Sequence, residues 1–252
     1  MRAIPSSLLN RLHPEQRFGL RLTLFGVALV LVTLPFTYLL FQVVQDGPFT
    51  RFDTRIATDL NEWVVGHPLF IDALHAISLL GKPLWLGVAA GAGGLFVFVR
   101  GRRRLAVFLA FTIIGGGLVD SAVKIAVNRP RPDVGTPLAH AFGKSFPSGH
   151  AMSSTIAYGA LLLVFLPAIP RAWRGFAMAG TALLIGVIGG SRLFLGVHFV
   201  SDVIGGLVLG LAWLAGSAAI FTVWRTERGA PAVPVIEGLE PEAESDLKVT
   251  AW

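Results

Sequence analysis

The run VIGGLVLGLAWLAGSAAIFTVW, residues 203–224, carries no charged side chain and is long enough to cross the hydrocarbon of a bilayer as a helix. Its apolar residues are continuous rather than alternating, and an open strand edge cannot face lipid, so a helix is expected and not a barrel strand. Working outward, similar runs lie near 22–44, 83–99, 105–127, 149–168 and 176–195. Composition agrees: 54% of the 252 residues are hydrophobic and 14% charged, a balance too apolar for a soluble domain. The expected fold class is therefore all-α, a polytopic membrane protein with six transmembrane helices in a bundle. Residues 49–80 mix polar and apolar side chains and fit an interfacial helical segment, broken near Gly66-His67-Pro68. The chain divides into an N-terminal segment over 1–21, a membrane domain over 22–225 and a tail over 226–252. The tail is rich in Pro, Ala and Glu from Gly229 onward, and disorder is expected there.

Arginine placement sets orientation. Arg2, Arg11, Arg17 and Arg21 precede the first run, and Arg100, Arg102, Arg103 and Arg104 separate the second from the third. Arg171 and Arg174 separate the fourth from the fifth, and Arg225 and Arg228 follow the sixth, so all of these clusters fall on one side. By the positive-inside rule that side is the cytoplasm, with both termini there and residues 45–82, 128–148 and 196–202 on the opposite face. The first run lacks a small-residue cleavage pattern and reads as an uncleaved anchor. The same arginines account for the sequence pI near 10.5, so no nucleic-acid partner is implied. Cysteine is absent, which excludes disulfides, thiol catalysis and zinc–thiolate sites.

Three polar clusters interrupt the apolar pattern, and all three map to the outer face. In KIAVNRPRP, Lys124 to Pro132, a helix ends at a pair of prolines and leaves Lys124 and Arg131 at the mouth of the bundle. In FPSGH, Phe146 to His150, Ser148 stands at an N-cap, so the first-turn N–H groups, Gly149 and His150 face outward, where an anion can bind. In SRLFLGVHFVSD, Ser191 to Asp202, His198 and Asp202 are four apart and meet on one helical face. Asp202 can hold one imidazole nitrogen and leave the other as a nucleophile, while Ser191 and Arg192 supply a hydroxyl and a forked donor.

Three cations, a helix N-terminus and two histidines suit a transferring phosphoryl group, whose equatorial oxygens need neutralising. His150, His198 and Asp202 are also metal-ligand types, but Lys124, Arg131 and Arg192 repel a cation, and Asp four residues after His is the ordinary orienting partner. Asp120, one turn before Lys124, fits a structural ion pair. His67 and His75 read as interfacial histidines, and Asp133, His140 and Lys144 as loop residues within reach of a headgroup.

In order, these clusters resemble the three-part signature of the type-2 phosphatidic acid phosphatase family: Lys, six residues, Arg-Pro; Pro-Ser-Gly-His; Ser-Arg, five residues, His, three residues, Asp. Every fixed position is present between residues 124 and 202. The resemblance implies that His198 attacks phosphorus to give a phosphohistidine, that Asp202 orients it, and that His150 protonates the leaving oxygen and then activates water. It further implies that Lys124, Arg131, Ser148, Gly149 and Arg192 hold the phosphoryl oxygens with no metal or other cofactor. The expected substrate is a lipid phosphate such as phosphatidate, phosphatidylglycerol phosphate or undecaprenyl diphosphate, drawn from the surrounding membrane lipids at the periplasmic or extracellular face of a bacterial inner membrane. The alternatives are removal of a lipid A phosphate, lipid-to-lipid phosphotransfer and, more remotely, a non-catalytic lipid-binding relative. Gly206 and Gly210, in small-xxx-small spacing, serve either a dimer or internal packing, and the oligomeric state stays open.

Overall fold

The structure is a computed structural model that describes residues 36–45, 47–136, 138–227, 230, 233 and 235–248. Among the described residues the chain is helical and contains no strand. After a helical run over 36–44 come α1 (Pro48–Val65), α2 (Pro68–Leu79), α3 (Pro83–Val99), α4 (Arg103–Val127), α5 (Gly149–Phe165), α6 (Arg171–Phe194) and α7 (Val200–Glu227). Proline opens each of α1, α2 and α3, where its missing N–H costs nothing and its fixed φ suits the first turn.

Four stretches are long and apolar enough to cross a membrane: Arg103–Val127, Gly149–Ala168, Arg171–Phe194 and Val200–Thr226. A fifth arises if α2 and α3, bent by 43° at their junction, form one broken span. Among the described residues the count of candidate spans is thus four or five. The expected span over 22–44 falls mostly outside the described residues, and α3 alone is 17 residues long. The break at Gly66-His67 is where the sequence places it, and α2 packs on α6 and continues into α3 across the 43° bend.

α5 is the central helix: 61% of its spanning window is buried, against 22% for α4 and α6. Lipid supplies no hydrophobic force between helices, so close packing through small residues has to hold them. A Cβ on Gly206 would lie 2.7 Å from the Ser148 carbonyl, and one on Gly210 would lie 2.9 Å from Thr155, so both glycines serve the α5–α7 contact within one chain. On the other flank, Trp213 of α7 lies against Gly115 and Gly116 and donates from Nε1 to the Thr112 carbonyl at 2.7 Å, tying in α4. Gly206→Ala is expected to lower stability by roughly 1–3 kcal/mol, the usual cost of overpacking, and to displace Ser148. Thermal unfolding in detergent checks this, and a variant that unfolds at the wild-type temperature would show that the α5–α7 contact accommodates the added methyl group.

The tail differs from the expected disorder. Residues 235–248 dock on the arginine-rich end of the bundle, with Leu239, Ala243 and Leu247 buried against Val97, Leu105, Leu109, Val164 and Phe221. Arg225 Nη2 donates to Glu242 at 2.5 Å, and Arg102 Nε donates to Asp246 at 2.8 Å. Net acidity and proline content point to disorder, but the apolar residues recur every four positions and form a stripe. Burying two leucines contributes roughly 3–6 kcal/mol, enough to help offset the ordering of a short segment.

Candidate active site

Helix direction brings the three sequence clusters to one end of the bundle, opposite Arg102–Arg104, Arg171, Arg174 and Arg225. Lys124 lies in the last turn of α4, Ser148 to His150 open α5, Arg192 lies in the last turn of α6, and Asp202 lies in the first turn of α7. The backbone N–H of Ser148 donates to the Asp202 carbonyl at 2.9 Å, joining the second cluster to the third. A Cβ on Gly149 would lie 3.2 Å from Lys124 Nζ, so the first cluster reaches the same turn. Lys124 Nζ also pairs with Asp120 at 2.5 Å, as the four-residue spacing predicts.

His198 sits in the short turn between α6 and α7 and is 3% exposed. Its Nδ1 is 3.3 Å from Asp202 Oδ2, and its Nε2 is 3.2 Å from Arg131 Nη1. An arginine has donors only, so Nε2 accepts and is the unprotonated nitrogen; the proton resides on Nδ1, facing Asp202. Burial pulls the imidazole below the ordinary histidine range, Asp202 opposes this, and Arg131 and Arg192 reinforce it. The Nε2 lone pair therefore persists at pH values where a solvated histidine is protonated.

Arg131 is itself clamped. It donates to the carbonyls of Val197 at 2.8 Å, Phe142 at 3.0 Å, Gly143 at 3.1 Å and Lys144 at 3.3 Å, bonding the 128–148 loop to the histidine turn. That loop is pinned elsewhere by reciprocal bonds between Asn61 and the backbone of Thr136 and by His75 Nε2 on the Leu138 carbonyl at 2.8 Å. His75 thus has a loop-holding contact, and His67 stacks on Trp63 with ring centroids 4.6 Å apart. Asp133, His140 and Lys144 are exposed, as expected of loop residues.

Three buried side-chain atoms of these clusters have no hydrogen-bond partner among the described residues: Ser148 Oγ, His150 Nε2 and Arg192 Nε. Leaving a buried polar atom unpaired costs about 1–3 kcal/mol, a cost that an acceptor-rich, ionised ligand would relieve. Arg192 is held by Ser78 Oγ at 2.5 Å, and the His150 ring lies against Gly81, where a Cβ would approach Cδ2 to 2.8 Å. Ser191 differs from expectation: its hydroxyl bonds back to the Ile188 carbonyl at 2.7 Å.

Four buried groups behind the pocket went unread in the sequence: Asp53, Arg129, Ser145 and Ser201. Arg129 Nη1 donates to Asp202 Oδ1 at 2.6 Å and Nη2 to Asp53 Oδ2 at 2.9 Å, while Ser145 donates to Asp202 Oδ2. The available signal was the stripe Asp53, Ala57, Asn61, Val64, which is the buried face of α1 and carries two polar residues among small or apolar ones.

Comparison with known proteins agrees with this geometry. A model of the PAP2 superfamily matches residues 105–226. Phosphatidylglycerophosphatase B of Bacillus subtilis (strain 168) is 38% identical over 158 residues, covering 60% of this chain and 70% of that protein. Decaprenylphosphoryl-5-phosphoribose phosphatase of Mycolicibacterium smegmatis is 34% identical over 172 residues, covering 65% of this chain and 84% of that protein. The crystal structure of a transmembrane PAP2 type phosphatidylglycerolphosphate phosphatase from Bacillus subtilis superposes with a TM-score of 0.68 at 25% identity, covering 76% of this chain and 94% of that one.

Proposed function

The chain belongs to the PAP2 superfamily and is a membrane phosphatase, and we propose that it hydrolyses a lipid phosphate through a phosphohistidine on His198 Nε2. The observation that carries this reading is His198 itself, with Asp202 on one ring nitrogen and a guanidinium on the other, beside the unpaired atoms of His150, Arg192 and Ser148.

In the first step the substrate's phosphoryl oxygens draw the Arg131 guanidinium off Nε2, and the freed lone pair attacks phosphorus. The N–P bond forms as the P–O bond to the lipid breaks, and His150 gives a proton to the departing oxygen. Lys124, Arg131, Arg192, Ser148 and the Gly149 N–H hold the three equatorial oxygens. In the second step His150 takes a proton from water, the water oxygen attacks phosphorus, the N–P bond breaks and phosphate leaves. No metal or other cofactor enters, because three cations already neutralise the group that a metal would neutralise.

The substrate's tail stays in the bilayer while its headgroup enters at the end of the bundle. The B. subtilis and M. smegmatis relatives carry names of a glycerophospholipid phosphatase and a polyprenyl-linked sugar phosphatase, which supports a pocket that reads the phosphate and leaves the rest of the headgroup loosely specified. The arginines at the opposite end support termini in the cytoplasm and a site on the outer face of a bacterial inner membrane.

The test is phosphate release by purified protein in detergent with EDTA, from phosphatidylglycerol phosphate, phosphatidate, undecaprenyl diphosphate and lipid A 1-phosphate. Release unaffected by EDTA and blocked competitively by vanadate is expected. Silence towards every member overturns the hydrolase reading, and loss of activity with EDTA overturns the metal-free one. Labelled phosphate appearing on an added acceptor lipid instead of in solution would identify a phosphotransferase.

A further inference from the structure

The segment Asn128-Arg129-Pro130-Arg131-Pro132 leaves α4 through a left-handed Asn128, φ 54°, and runs on outside any helix. Residues two apart on an extended chain point the same way, about 6–7 Å apart. Its two arginines accordingly bracket the His198–Asp202 pair, with Arg131 on His198 Nε2 and Arg129 on Asp202 Oδ1. Of the two, Arg131 is partly exposed. Arg129 is 6% exposed, covers the Phe199 ring at 4.0 Å and reaches Asp53, which is fully buried on α1.

Among the described residues, every polar contact on the two carboxylates comes from a donor. Asp202 accepts from Arg129, Ser145, the Phe199 N–H at 2.9 Å and His198; Asp53 accepts from Arg129, the Ser201 N–H at 3.0 Å and the Ser201 hydroxyl. Two carboxylates around one guanidinium leave a buried cluster of net charge −1 directly behind the imidazole. Arg129 alone would neutralise Asp202; Asp53 restores the negative charge while fixing the guanidinium in place.

We propose that Asp53 is a positioning residue for the phosphatase reaction, acting through Arg129 to orient Asp202 and to keep negative charge behind His198 as its ring becomes cationic on phosphorylation. The inference rests on the phosphohistidine reading. When Nε2 bonds to phosphorus, the ring keeps its proton on Nδ1 and gains a positive charge. That charge is faced by Asp202 from α7, with Arg129 and Asp53 beyond it, and by the cations Arg131 from the loop and Arg192 from α6, with His150 on α5 across the pocket. Asp202 and Asp53 are the negative groups in that set.

The experiment compares full-length wild type, Asp53→Asn, Arg129→Gln and the double variant in detergent on dioctanoyl phosphatidate. Measured are kcat, KM, the pH profile of kcat/KM, and labelled phosphoenzyme after rapid quench, each normalised to folded protein. Wild type should keep its acid limb below the ordinary histidine range. Asp53→Asn should lower kcat by roughly 10- to 100-fold with little change in KM, the range in which partners behind a functional side chain act. Its acid limb should move to lower pH by about one unit, since removing a negative charge disfavours the imidazolium. Arg129→Gln, which strands two buried carboxylates, should be the worst of the three. The double variant regains net charge −1, so its acid limb should return to the wild-type position and its kcat should exceed that of Arg129→Gln. This comparison decides the matter even where Asp53→Asn is poorly recovered.

A wild-type kcat and acid limb in Asp53→Asn, or a double variant no better than Arg129→Gln, overturns the role of Asp53. His198→Ala in the same assay keeps the two levels apart. If it abolishes phosphoenzyme while Asp53→Asn behaves as wild type, only the positioning role fails; if it still turns over, the phosphohistidine reading fails first.

Discussion

Replacing His198 with alanine is expected to lower phosphate release by about 10,000-fold or more and to remove the acid-labile phosphoenzyme altogether. The expectation follows from the geometry of the turn between α6 and α7. Among the described residues, His198 is the imidazole whose outer nitrogen is unprotonated and whose inner nitrogen is held by a buried carboxylate, so its lone pair is both available and aimed. On the phosphohistidine reading, its removal leaves Lys124, Arg131 and Arg192 to bind phosphate with nothing to attack it, and losses of this size are what deletion of a primary nucleophile produces. KM, which reflects those cations, should change far less than kcat. A variant that keeps turnover within tenfold of wild type would show that water attacks phosphorus directly.

His150→Ala should separate the two half-reactions. With an ordinary lipid phosphate, both steps need a proton moved at the pocket mouth, and turnover should drop by roughly 100- to 10,000-fold. With a substrate whose leaving group is acidic enough to depart unprotonated, such as a nitrophenyl phosphate ester, the first step no longer depends on His150 but the second still does. The variant should then release one equivalent of nitrophenol per site in a burst and stall as phosphoenzyme. Equal losses on both substrates with no burst would place the proton donor elsewhere.

The sequence was most legible where the chemistry demanded charged groups in costly places. Lys124, Arg131, Ser148 to His150, Arg192, His198 and Asp202 each interrupt an apolar run, and helix direction alone brings them to one end. Arg129 was not legible as a distinct element, because two arginines around Pro130 look alike until Asp53 and Asp202 are seen flanking one of them. Asp53 lies far earlier in the chain, on a helix whose polar residues read as an interfacial face; its burial follows from how α1 packs on α6 and α7, which spacing does not encode. Ser78 was missed for the same reason. The docking of the tail was not legible because composition alone points to disorder, whereas its carboxylates answer Arg102 and Arg225 across the bundle's end.

That docking has a consequence for biogenesis. Residues 235–248 leave the ribosome after the whole of α4 to α7, so Glu240, Glu242 and Asp246 do not exist while the earlier helices are being threaded into the bilayer. On the proposed orientation, Arg102 presents its full charge at the moment when charge governs which way α4 enters. Only afterwards do Glu240 and Asp246 arrive and pair with it. One guanidinium then serves first as a steering signal for insertion and afterwards as part of the lock that holds the tail on the bundle.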